Sequence, residues 1–150
     1  MPALSDLGKS APVLKEVYSR SEKNSRDLAA AAVVALKLKE PPSIYHDGDS
    51  LTDLDALLSR VDITAVTVVL PITLQPSIVL KALAAGKHVL SEKPVAPDVK
   101  QGSQSHQHMQ EEYQRKGLIW RVAENCEAEP GIKKAAEIIR SRKLFSRPLW

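Results

Sequence analysis

Ser91-Glu92-Lys93-Pro94 places one lysine on a proline-stiffened turn directly after the apolar run Val89-Leu90. Proline fixes its own φ and restrains the residue before it, so an ammonium at Lys93 cannot wander far. Such a point charge can serve a phosphate, a nicotinamide or a substrate hydroxyl; the competing reading is a solvated loop lysine. Three further groups carry polar chemistry at comparable places. Ser19-Arg20-Ser21 offers a guanidinium between two hydroxyls, Pro71-Ile72-Thr73 with Gln75 follows the most apolar stretch, and Glu124-Asn125 follows Trp120-Arg121-Val122. A plain surface charge at Arg20 and an ordinary proline and threonine helix entry at 71–73 are their structural alternatives.

The elements that must hold these groups can be read from periodicity. Val13 to Tyr18 reads as a strand, followed by a helix that starts near Asn24 or Ser25 and runs through the alanine-rich stretch to Lys39, where Pro41-Pro42 stops it. Ser43-Ile44-Tyr45 is a brief second strand. Ser50 caps a helix whose apolar face is Leu51, Leu54, Leu57 and Leu58. Ile63 to Leu70 is almost wholly apolar or β-branched, the pattern of a parallel strand buried on both faces.

Gln75-Pro76 opens a helix through Ala85, which Gly86 ends, and Lys87 to Ser91 returns as a strand. Val99 to Gly117 reads as an exposed helix, Leu118 to Ala123 as a strand, and Gly131 to Arg142 as a last helix. Strands therefore alternate with helices, the βαβ signature of a mostly parallel sheet. In an open α/β sheet ligands collect at the carboxyl ends of strands, which is where all four groups stand. Ser19 and Arg20 then occupy the place where a dinucleotide domain reads the adenosine ribose, and Arg with Ser suits a 2′-phosphate.

Composition sets the limits. The chain has 150 residues, 43% hydrophobic and 26% charged, with 21 basic and 18 acidic side chains. That is one modest domain with an aliphatic core. The small basic excess is too evenly spread for a nucleic-acid surface, and Glu127, Glu129 and Glu137 offset Lys133, Lys134, Arg140, Arg142, Lys143 and Arg147.

Cys126 is the one cysteine, so no internal disulfide or CxxC pair exists, and a structural role is its simplest reading. His106 and His108 point to different sides of a helix, and His46 and His88 share no ligand spacing with them, so no metal site is expected. Trp120 and Trp150 read as packing residues. Met1 to Leu7 lacks the pattern of a secretory signal and no run suits a membrane span, which leaves the cytoplasm as the expected location.

Asp62 to Pro71, Ala82 to Pro94 and Val122 to Pro130 together resemble the glucose-fructose oxidoreductase/inositol dehydrogenase/rhizopine catabolism (Gfo/Idh/MocA) family. The run Gly86-Lys87-His88-Val89-Leu90-Ser91-Glu92-Lys93-Pro94 carries most of that likeness. The resemblance implies a Rossmann-like doubly wound parallel sheet and an NAD- or NADP-dependent oxidoreductase acting on sugars, inositols or related hydroxyl compounds. It implies that Lys93 orients nicotinamide and substrate and assists proton transfer. By the same resemblance Pro71, Thr73 and Glu92 stand on the cofactor side, Asn125 at the entrance to a substrate domain, and Ser19 with Arg20 at the ribose.

The departures from that pattern shape further expectations. Family members begin with a strand and a Gly-x-Gly-x-x-Gly turn, whereas Gly8 stands alone here. The chain is accordingly expected to lack the usual first strand and glycine-rich loop. Residues 1–125 are expected to be an incomplete dinucleotide-binding domain and 126–150 the start of a truncated substrate domain. Cofactor binding by NADP or NAD is weakened on this view, and the isolated chain is impaired or inactive. The alternative is a non-catalytic fragment that pairs with a copy of itself or with a full-length related subunit through an exposed sheet edge.

Overall fold

The computed structural model describes residues 12–141. Met1 to Gly8, Arg142, Lys143, Arg147 and Trp150, all weighed above from sequence, lie outside the described residues. Strands and helices alternate along the described residues, and the strands Glu16–Tyr18 with Ser43–Tyr45 and His88–Ser91 with Trp120–Val122 pair in parallel, so the fold is α/β and Rossmann-like. The described residues fall into two compact units. One holds the chain up to Val66 together with Ala84–Lys87; the other holds Thr67–Leu83 and the chain from His88 onward.

In the first unit β1 (Glu16–Tyr18) pairs in parallel with β2 (Ser43–Tyr45), Val17 opposite Ile44. Between them runs α1 (Glu22–Leu36), whose N-terminus is capped by Ser21 Oγ accepting from the Asn24 N–H at 3.2 Å. Helix α1 ends three residues before the proline pair would force it to, because Lys37 adopts a left-handed φ of 52° and its N–H closes on the Val33 carbonyl. Ser25, fully buried, ties helix to strand by donating to the Tyr45 carbonyl at 2.7 Å.

The short helix α2 (Leu54–Ser59) is capped by Asp53, whose Oδ1 accepts from Ala56 N–H at 2.8 Å, and not by Ser50. Leu57 and Leu58 are buried and Leu51 is 81% exposed, so the expected apolar face is shorter by a turn. Lys87 is only 5% exposed, and its ammonium donates to the Arg60 and Ile63 carbonyls. A lysine inside the Gly-Lys-His-Val run is thus a structural pin.

The second sheet has the order β3 (Ala65–Val68), β4 (His88–Ser91), β5 (Trp120–Val122), with β4 and β5 parallel and Ser91 opposite Val122. Helix α3 (Gln75–Ala84) leads into β4, and its Val79, Ala82 and Leu83 are each 1% exposed. Burying Val79 and Leu83 contributes roughly 1.5–3 kcal/mol apiece. Gly86 makes the turn into β4 with φ 76°, a conformation that carries no Cβ penalty only for glycine.

The expectation that the strand over 63–70 is covered on both faces is corrected. Val68 is buried, but Ala65 and Thr67 are exposed and Val69 is 68% exposed, the alternation of a strand packed on one side. The exposed helix expected over 99–117 is helix α4 (Val99–His108), a wider turn over Met109–Tyr113 and a tighter one over Gln114–Lys116. Met109 and Tyr113 fill the core there. Helix α5 (Pro130–Ser141) follows a single turn at Cys126–Ala128.

Candidate functional site

The backbone beyond β4 is held at successive residues. Glu92 N–H donates to the Val68 carbonyl at 3.0 Å, so the end of β4 stays joined to the end of β3. The Glu92 carboxylate turns back to accept from Lys93 N–H at 3.0 Å. The Lys93–Pro94 peptide is cis, and the Pro94 carbonyl accepts from the Gln75 side chain at 2.9 Å.

On the other side Ser91, 1% exposed, anchors β5. Its carbonyl accepts from Ala123 N–H at 2.7 Å and its hydroxyl from the Trp120 indole at 2.9 Å. Trp120 therefore does more than fill space. His88 contributes at the far end of the same pair, its Nδ1 accepting from Ile119 N–H at 3.1 Å.

These restraints bring the Lys93 side chain onto the turn that leaves β5. Its ammonium donates to Asn125 Oδ1 at 2.6 Å and stands 3.6 Å from Glu124 Oε1 and 3.7 Å from Cys126 Sγ. Partial desolvation lowers the Lys93 pKa, but charge and hydrogen-bond interactions with Cys126 and Glu124 outweigh it and hold the ammonium above the ordinary lysine value. Glu124 is drawn down, first by accepting hydrogen bonds from Cys126, 3.1 Å from its backbone N–H, and then by Lys93. At neutral pH Lys93 and Glu124 form a charged pair, with the Asn125 amide and the Cys126 side chain beside it.

Lys93 is still 40% exposed and Glu124 50%, so the cluster faces solvent and can meet a ligand. Cys126 is exposed too, which corrects its reading as a packed structural cysteine. Pro71 and Thr73 are exposed in the turn before α3, where the Pro71 carbonyl accepts from Leu74 and Gln75 N–H groups. Gln75 itself is 1% exposed and does not reach that surface.

Ser19 and Arg20 belong to the first unit. Ser19 continues the β1 pairing through its N–H to the Tyr45 carbonyl at 3.2 Å, and Arg20 is exposed at the positive end of α1. Beside them Tyr18 donates to Asp47 Oδ1 at 2.6 Å, and burial together with that carboxylate pushes the phenol up to about 12. Among the described residues no group of three or more His, Cys, Asp or Glu side chains is arranged to hold a metal ion, and no helix is long and apolar enough to cross a membrane.

Residues 1–123 match the model of the Gfo/Idh/MocA oxidoreductase family, an oxidoreductase family with an NAD-binding Rossmann fold. The chain belongs to this family. Among curated relatives, the dehydrogenase FPY6 of Fusarium mangiferae is 39% identical over 137 residues, which is 90% of this chain and 36% of that protein. Among solved structures, an oxidoreductase from Thermotoga maritima superposes with a TM-score of 0.72 at 28% identity, over 94% of this chain and 38% of that one. A 3-ketoreductase from Actinomadura kijaniata, solved with NADP and TDP-benzene, gives 0.68 at 26% identity, over 93% of this chain and 37% of its own. This chain thus spans little more than a third of the length of each of these three proteins.

Proposed function

We propose that this chain carries the cofactor-binding part of an oxidoreductase that exchanges hydride between NADP or NAD and a sugar, inositol or related hydroxyl compound. The observation that carries the reading is the Lys93 ammonium, exposed beyond the carboxyl end of β4 and 2.6 Å from Asn125 at the exit of β5. The 3-ketoreductase solved with NADP and TDP-benzene supports the choice of cofactor and of a substrate that interconverts ketone and hydroxyl.

Each unit, taken by itself, carries polar groups that suit one part of a dinucleotide. Exposed Pro71 and Thr73 with Glu92, Lys93 and Asn125 offer the polar groups that a carboxamide and its ribose need. Arg20, with Ser19 beside it at the start of α1, offers a guanidinium and a hydroxyl for a 2′-phosphate, so NADP is favoured over NAD. The nicotinamide supplies the hydride chemistry when bound. Lys93 orients the ring and the substrate oxygen and holds at Nζ the proton that this oxygen gains on reduction; Asn125 fixes that Nζ.

On this reading residues 1–125 form the dinucleotide portion and 126–150 lead toward a substrate-binding portion. The sequence contains no Gly-x-Gly-x-x-Gly, and a chain that lacks this phosphate-cradling turn holds its cofactor weakly. Titration of the chain with NADPH and with NADH, following nicotinamide fluorescence, tests the proposal. Saturable binding that is tighter for NADPH, and loses that preference in Arg20→Ala, is the expected result; no saturation with either cofactor refutes it.

One observation favours a second reading, a non-catalytic subunit that pairs with another chain. Among the described residues β1 pairs with β2 alone, and two-stranded sheets are marginal in water. Light-scattering mass separates the readings, since a monomer that binds NADPH contradicts the second.

A further inference from the structure

Gln75 opens α3 with its side chain turned inward, 1% exposed, and its carboxamide nitrogen donating to the Pro94 carbonyl at 2.9 Å across 19 residues of sequence. Its Oε1 is buried and accepts from no protein group. Leaving an amide oxygen unpaired in the interior is destabilising, a penalty that a methionine of the same length would avoid. A residue chosen for packing alone would therefore be apolar.

The position explains the choice. Glu92, on one side of Lys93, is bonded through its N–H to the Val68 carbonyl, and Pro94, on the other side, is bonded through its carbonyl to Gln75. The peptide that carries the Lys93 side chain is thus fastened at both flanks, one fastening provided by β3 and the other by α3. Lys93 is the residue whose ammonium must stay within reach of Asn125, Glu124 and Cys126. We infer that Gln75 is a positioning residue for the Lys93 ammonium, holding the 92–94 turn so that this group faces a bound cofactor and substrate. The cofactor-facing role of Lys93 rests on the function proposed above; the fastening does not.

The test measures the Lys93 environment directly. Reductive methylation of the 150-residue chain with formaldehyde and cyanoborohydride, quantified by mass spectrometry from pH 7 to 11, gives a reactivity profile for Lys93 against exposed Lys23 as an internal reference. In Gln75→Met the Lys93 profile should move to lower pH, because the ammonium leaves the Glu124 carboxylate, and its rate relative to Lys23 should rise about threefold to tenfold. NADPH affinity should weaken by a similar factor. Gln75→His, which keeps a ring N–H at comparable reach, should restore both.

An unchanged Lys93 profile in Gln75→Met overturns the inference, as does a profile that shifts equally in Gln75→His. Should Gln75→Met fail to fold, Gln75→Leu, apolar and of similar bulk, also removes the donor and is read in the same way. If the unmodified chain binds no NADPH, the function proposed above fails, and the methylation profiles alone decide the role of Gln75.

Discussion

Lys93 Nζ lies 2.6 Å from Asn125 Oδ1 although 32 residues separate them in sequence. The contact exists because β4 and β5 are parallel neighbours whose carboxyl ends lie together, Ser91 opposite Val122. Two turns that follow different strands then share one small region of space.

Asn125→Ala removes the closest partner of the Lys93 ammonium. The group is 40% exposed, so water replaces much of what is lost and the effect stays modest. NADPH affinity should weaken by about twofold to tenfold with no change in thermal midpoint. Fluorescence titration and calorimetry on the same sample check both halves.

Ser91→Ala strands the Trp120 indole N–H, which now donates to the Ser91 hydroxyl at 2.9 Å in a buried setting. Loss of about 1–3 kcal/mol of stability is expected. Urea unfolding read by tryptophan fluorescence measures it, and an unchanged midpoint would show that the indole finds another partner.

Tyr18 should resist ionisation. Burial raises its pKa first and the Asp47 hydrogen bond adds to this, giving about 12 against an ordinary value of 10.0. A folded pKa above the unfolded one means that the contribution to stability is complete below about pH 10 and disappears as pH rises toward 12. Ultraviolet difference titration should find a late tyrosine that Asp47→Asn moves back toward 10.0.

Asp62 behaves in the opposite sense. Hydrogen bonds from Arg60, at 2.9 and 3.0 Å, and from Lys15, at 2.9 Å, hold its pKa well below the ordinary aspartate value of 3.8. The stability it contributes is present above the unfolded value and is lost as pH falls below about 4. Asp62→Asn should lower stability at neutral pH and flatten its dependence on pH in that acid window, as followed by circular dichroism against urea at several pH values.

Much of the fold was legible in the sequence because local rules decide it. Ser43–Tyr45 forms the strand read there, Gln75 opens its helix, and Gly86 takes the left-handed turn that ends one. Boundaries shifted where a capping bond outranked a breaker. Lys37 closes α1 on the Val33 carbonyl before the prolines are reached, and Asp53 caps α2 because its carboxylate reaches the Ala56 N–H. Periodicity cannot see such bonds.

Lys93, Asn125 and the Glu-Lys-Pro turn could be singled out from residue type and place, since charged and amide groups after parallel strands have few structural uses. Lys87 and Gln75 could not be sorted that way. Their side chains look like surface residues in one dimension, yet one pins the Arg60 and Ile63 carbonyls from within and the other fastens the turn at Pro94.

What the sequence determined by itself was the alternation of strand and helix and the motif that marks the family, because both depend on near neighbours along the chain. Tertiary structure alone decided that Cys126 faces solvent beside an ammonium, that β3 is covered on one side, and that Gln75 lies inside. Those outcomes depend on which distant backbone carbonyls and apolar surfaces a residue meets after folding, and separation in sequence carries no record of that distance.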